Sequence, residues 1–157
     1  MQINLLCIGK TDDKEITSLI NYYLKRLPQH WNFEITEIPD VKNARSLSAD
    51  LLKKEEAKLF MNYIGKTDFV LILDEKGKQL TSREFSKKID TWMNSSVKKV
   101  HLLIGGAYGF SDDIYTRANE KISLSKMTFT HQMIRLFIVE QLYRADQILQ
   151  GKPYHND

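Results

Sequence analysis

Apolar residues recur along the chain in two alternating periods, one typical of strands and one of helices. Gln2–Ile8 (QINLLCI) is a short β-rich apolar run closed by Gly9. From Asp12 to Leu27 the residues Ile16, Leu19, Ile20, Tyr23, Leu24 and Leu27 recur at helical spacing, and Pro28 ends the helix. Trp31–Ile38 alternates apolar and polar side chains up to Pro39, as a half-buried strand does. A second helix runs from Ser46 or Ser48 to about Tyr63, with Lys53–Glu56 as its solvated face. Phe69–Leu73 and Val100–Ile104 are unbroken apolar runs, the pattern of strands covered on both faces of a parallel sheet. Asp74–Gly77 reads as a turn, and Thr81 or Ser82 opens a helix to about Met93. A short helix over Ser111–Glu120, an extended piece at Ile122–Leu124 and a long helix from His131 to Leu149 complete the order βαβαβαβαβα. That order predicts one α/β domain over residues 1–157, with a mostly parallel sheet and flanking helices.

Composition narrows the class without naming a function. The length of 157 residues suits one domain, and 42% hydrophobic with 27% charged residues suits a globular core. No apolar run approaches a membrane span, and Met1–Gly9 has neither the basic start nor the cleavage site of a signal peptide. A single cysteine, Cys7, suits a reducing compartment, so the expected location is cytoplasmic. The segment from Arg117 to His155 holds six basic and three acidic residues and so carries the whole net charge of +3. Such a local excess attracts phosphate, and it is also small enough to arise by chance.

Two strand ends have the make-up of a ligand site, because ligands of open α/β sheets sit beyond the carboxyl ends of strands. These are Leu73–Gly77 and Gly105–Gly109. The glycines lack the G-x-G-x-x-G spacing of a dinucleotide fold, and no phosphate loop is present. Taken alone they also fit a tight strand-to-helix turn. His30, His101, His131 and His155 show no paired ligand spacing, so no metal is expected, and no nucleophile elbow occurs. His101, inside an apolar strand, reads as a packed side chain. Ser123–Phe129 is too polar for a core strand and runs into His131-Gln132 and the last helix. That helix is apolar on more than one side yet carries Glu140 and Arg144, which suits either a subunit contact or an ordinary terminal helix. The tail Gly151–His155 is basic and aromatic, as RNA sites are, and also short enough to fray.

Taken jointly, several motifs are specific. Leu73-Asp74-Glu75-Lys76-Gly77, Ile104-Gly105-Gly106 with Gly109-Phe110, Ser123–Phe129, His131-Gln132, Glu140-Gln141 with Tyr143-Arg144-Ala145, and Pro153-Tyr154-His155 together closely resemble the ribosomal RNA large-subunit methyltransferase H family. This family belongs to the SPOUT superfamily, and the resemblance spans essentially the whole chain. Thr130 departs from it, since many members carry proline there.

The resemblance implies a C-terminal trefoil knot, a homodimer, S-adenosylmethionine as methyl donor, and N3-methylation of a pseudouridine in 23S rRNA within ribosomal particles, in the helix facing the decoding centre. By motif position the donor pocket uses Leu73, Gly105, Leu124, Ser125, Lys126, Met127, Thr128 and Phe129. Arg144, Tyr154 and His155 correspond to the residues beside the target base. Lys126, His131, Arg135, Lys152 and Tyr154 are the expected RNA contacts. His155 is a candidate for accepting the N3 proton, with Arg144 stabilising charge on the base oxygens. The alternatives are a non-catalytic ribosome- or RNA-binding protein of the same fold and a small-molecule α/β enzyme.

Overall fold

The computed structural model of the chain describes residues 1–155. Five strands and five helices alternate: β1 (Gln2–Ile8), α1 (Lys14–Leu24), β2 (Phe33–Ile38), α2 (Ala49–Met61), β3 (Phe69–Gln79), α3 (Ser82–Met93), β4 (Lys99–Ile104), α4 (Asp112–Arg117), β5 (Glu120–Ser123) and α5 (His131–Leu149). All pairings are parallel, in the order β2-β1-β4-β3-β5. The expected α/β fold with a mostly parallel sheet is therefore present, and every pairing between the five strands is parallel.

Strand alternation divides the core into two layers. Ile3, Leu5, Leu71 and Leu102 face α1, α3 and α5, where Ile20, Ile89, Trp92, Val139 and Leu142 cover them. Leu6, Ile8, Ile72 and Leu103 face α2 and α4, meeting Ala57, Phe60 and Ile114. Helix starts are set by side chains that take up otherwise unpaired N–H groups. Asp13, Ser48 and Thr130 accept from Ile16, Leu51 and Met133, and Thr81 forms a capping box with Glu84. Thr130 thus has a local task, capping the helix that carries the site.

Three boundaries differ from the sequence pattern. Trp31 is buried in a 3-10 turn before β2 and does not begin the strand. The short fourth helix stops at Arg117, because Glu120 already pairs with Leu71. The largest difference is Asp74–Gly77, expected as a turn. Here β3 continues to Gln79, with a register shift between Leu73 and Lys78, and Lys78 and Gln79 pair with Ile122 and Ser123. Glycine at position 77 permits this: a Cβ there would lie 2.3 Å from the Ile122 carbonyl carbon. The two backbones cross in contact.

His101 is 1% exposed, with Nε2 2.9 Å from Asp68 Oδ2, so the reading of a packed histidine holds. Burial holds its ring below the usual histidine range, with Asp68 opposing the shift. Burial acts upward on Asp68, but the Gly65 N–H and His101 outweigh it and hold the carboxyl low. Below pH 6.5 the unfolded chain takes up a proton at position 101 that the folded chain resists, so stability falls with pH. Asp68 acts in the same direction further down, below 3.8. Urea unfolding from about pH 7 to about pH 5 is expected to show this decline, and His101→Gln is expected to make it shallower, with the remainder from His131, whose ring burial also holds low. An equal decline in the variant would assign the titration elsewhere.

Candidate active site

The carboxyl ends of β3 and β4 lie side by side, since Leu73 pairs with Ile104. Beyond β4 the chain reverses tightly: the Gly109 N–H donates to the Gly106 carbonyl at 3.1 Å, and Gly109 adopts φ +75°. Tyr108 stands at the tip, 59% exposed. Beyond β5 the serines fold the chain back on itself. Ser123 Oγ donates to the Ser125 carbonyl at 2.7 Å, and the Met127 N–H donates to Ser125 Oγ at 2.9 Å. The polar character of Ser123–Phe129 thus has a physical cause: its hydroxyls replace strand pairing as partners for the backbone.

These segments enclose a cleft of about 410 Å³. Of the residues expected around the donor, Leu73, Gly105, Leu124, Ser125, Met127, Thr128 and Phe129 line it, as does His131, expected to meet RNA. Lys126 is exposed and does not line it. Ile104, Leu124, Phe129 and Ile134 give apolar walls suited to a flat ring, and Met127 is 74% exposed at the mouth. Asp74 and Glu75 also line the cleft and suit a cationic group. A volume of this size fits a drug-sized ligand. Burial and the Arg135 charge hold the His131 ring below the usual histidine range, so at neutral pH it offers a hydrogen bond and no full charge.

Two of the site's groups escaped the sequence reading. Tyr115 OH donates to Asp74 Oδ2 at 2.5 Å, and burial with that carboxylate pushes the phenol up to about 12. The pair ties α4 to the β3 end of the cleft. Glu56, expected on a solvated face, is only 6% exposed and packs against Gly106. Its spacing from Leu52 and Phe60, both buried, was the available signal: positions 52, 56 and 60 share one helical face.

Arg144, Tyr154 and His155 are brought together. Arg144 Nη2 donates to Glu140 Oε1 at 2.5 Å, Tyr154 OH donates to the same oxygen at 3.1 Å, and Arg144 Nη1 lies 3.3 Å from His155 Nδ1. The Arg144 guanidinium also sits 4.9 Å from the Tyr154 ring centroid, and Tyr143 packs edge-on against that ring. Hydrogen bonding to Glu140 raises Arg144 further above its ordinary value, and burial raises Tyr154. The tail is therefore anchored on α5. None of the three residues lines the cleft of its own chain. Glu140, however, lines a second cavity of about 280 Å³ that shares Ser123, Leu124, Ser125 and Phe129 with the first.

Arg135 corrects an expectation. It was expected to contact RNA, yet it is 2% exposed, and it donates to the Ile8 carbonyl at 2.6 Å and to Thr11 Oγ1 at 2.8 Å. Glu37 lies 3.6 Å away. A guanidinium so enclosed cannot reach phosphate; it ties α5 to the end of β1. Lys152 is exposed on the tail.

Residues 1–155 match a family model described as "Predicted SPOUT methyltransferase". Curated relatives match along nearly the whole chain. The Ribosomal RNA large subunit methyltransferase H of Cytophaga hutchinsonii is 51% identical, covering 99% of this chain and 100% of its own. The protein of that name from Christiangramia forsetii is 50% identical with 99% of both covered. The one from Parabacteroides distasonis is 46% identical over the full length of both. Among solved structures, a probable methylase family protein from Haemophilus influenzae superposes with a TM-score of 0.55 at 11% identity, covering 99% of this chain and 70% of that one, a likeness of fold. A cleft built from backbone turns at the strand ends, and a match along 1–155, point the same way: the chain is a methyltransferase and belongs to the SPOUT family.

Proposed function

We propose that this enzyme transfers a methyl group from S-adenosylmethionine to N3 of a pseudouridine in large-subunit ribosomal RNA, within ribosomal particles of the cytoplasm. The observation that carries this reading is the convergence of Leu73, Gly105 and the Leu124–Phe129 segment, apart from Lys126, on one cleft. Identity of about half with proteins named for ribosomal RNA methylation supports the substrate class. The residues present fit the donor: apolar walls for its adenine, carboxylates at Asp74 and Glu75 for its cationic groups, and backbone turns for its remaining polar edges. When bound, S-adenosylmethionine supplies a sulfonium methyl already activated for displacement.

The protein must then position and deprotonate the target. Holding two reactants in line contributes roughly 7–11 kcal/mol in favourable cases. Arg144 places a permanent charge where the base oxygens become negative as the N3 proton leaves. Arginine has no acceptor, so in this contact His155 Nδ1 accepts from it. His155 takes up the N3 proton only after Nδ1 parts from Arg144. The tail lies outside its own chain's cleft, which supports a homodimer in which one subunit's Tyr154 and His155 complete the other's pocket. The same reading includes a knotted path for the chain end.

The test is transfer of tritiated methyl to ribosomes from a strain lacking this modification, followed by mapping of the labelled base. Label at N3 of a pseudouridine in the large-subunit RNA is expected. No label in ribosomes, with donor bound, would leave a binding protein of this fold; transfer to free metabolites would mean a small-molecule enzyme.

A further inference from the structure

The face of α2 that meets the site carries an anomaly. Leu52, Ala57 and Phe60 are buried as a core helix requires, but Glu56 among them is 6% exposed. A carboxylate there is costly, since burial removes its hydration, and a leucine or methionine would fill the same place with apolar contact. Burial raises its pKa, and the nearby Asp40 carboxylate raises it further, so neither effect favours the charged form. The Gly106 backbone beside the carboxyl opposes that rise.

That backbone belongs to the cleft. Gly106 and its neighbour Gly105 both line it, and the Gly106 carbonyl is taken by the Gly109 N–H at 3.1 Å. With the Glu56 carboxyl packed against it and its carbonyl taken by Gly109, residue 106 is held from two sides. The closeness is extreme: a Cβ built on Gly106 would lie 2.2 Å from Glu56 Oε1. The Gly106 backbone is not in the left-handed region, so its conformation alone would tolerate a side chain. The glycine is there because the carboxyl occupies the room.

We infer that Glu56 is a positioning residue for the methyl donor: from α2 it holds the Gly105–Gly106 backbone in the shape the donor cleft requires. This rests on the cleft being the donor site, as proposed above. Glu56 touches no substrate; it acts through Gly106, and the coupling between the two positions is therefore the decisive quantity.

The test is calorimetric titration of S-adenosylmethionine into the full-length protein and its variants. Glu56→Ala and Gly106→Ala each break the same link from opposite sides, and each is expected to weaken donor binding about tenfold, the scale of one lost polar contact. In the double variant the new methyl occupies space the carboxyl has left, so binding is expected to be no weaker than in either single variant. Glu56→Gln keeps an acceptor and is expected to stay within about threefold of the parent. Turnover at saturating donor is expected to change less than about twofold in Glu56→Ala and Glu56→Gln, placing the effect on donor KM rather than kcat. A residue that only stabilises the fold would lower the thermal midpoint and leave the affinity of the folded molecules unchanged. Donor binding by Glu56→Ala equal to the parent, or a double variant weakened about a hundredfold, as two independent losses would give, overturns the inference. Should Glu56→Ala fail to fold, unaltered binding by Gly106→Ala overturns it equally. A parent protein that does not bind the donor overturns the donor site itself, and this inference with it.

Discussion

Replacing Arg144 with alanine is expected to lower the rate of RNA methylation by about 10²–10³-fold, the usual consequence of removing one donor aimed at developing negative charge. Donor affinity should stay within about twofold, because Arg144 does not line the cleft that the donor is proposed to occupy. Among the described residues, the variant also leaves Glu140 Oε1 with the Tyr154 hydroxyl alone, and stability should fall by about 1–3 kcal/mol. Arg144→Lys should recover little. Lysine keeps a charge, but it cannot hold Glu140 and His155 with two nitrogens in one plane. Single-turnover methylation at saturating donor, alongside donor calorimetry, separates the two effects. Activity within about fivefold of the parent would remove Arg144 from the chemistry.

Gly77→Ala carries the largest expected effect on the fold. Its Cβ would sit 2.3, 2.6 and 2.7 Å from three backbone atoms of Ile122, and backbone cannot step aside as a side-chain tip can. Relief requires β3 and β5 to part, which breaks the pairing of Lys78 and Gln79 with Ile122 and Ser123. The expected loss is about 4 kcal/mol or more, among the exceptional single substitutions, against a total of about 5–15 kcal/mol for a typical domain. Urea titration at fixed protein concentration measures it. A loss below about 1 kcal/mol would mean that the strands are not in contact at this point.

The same crossing shows where a sequence stops being informative. Asp74-Glu75-Lys76-Gly77 has the composition of a turn, and local rules read it so. These four residues lie unpaired at the register shift, and the strand resumes at Lys78 and Gln79 by pairing with β5, more than forty positions along the chain, which no local pattern encodes. The long apolar runs were legible for the opposite reason: Phe69–Leu73 and Val100–Ile104 are covered on both faces, and burial on both faces leaves no room for polar residues. The final helix was legible down to its ends, because Thr130 caps one and Gly151 follows the other.

Charged residues were the hard cases. Arg135 and Glu56 look like surface in a list of residue types, and both are buried, Arg135 on the Ile8 carbonyl and Glu56 against Gly106 of the cleft. Periodicity identifies the face on which such a residue lies, but not the distant loop it meets. For the cleft itself, single motifs were ambiguous, and only their joint occurrence marked the site. Lys126 shows the remaining limit: it belongs to the motif in sequence, yet it is exposed and outside the cleft, because the Ser125 hydroxyl turns the chain just there.

The most direct measurement is a crystal structure of the protein grown with S-adenosylmethionine. The donor is expected against Gly105 and the Leu124–Phe129 loop, with Tyr154 and His155 of a second subunit facing its methyl group. A donor bound elsewhere on the molecule, or a tail remote from the methyl in both subunits, would contradict the account.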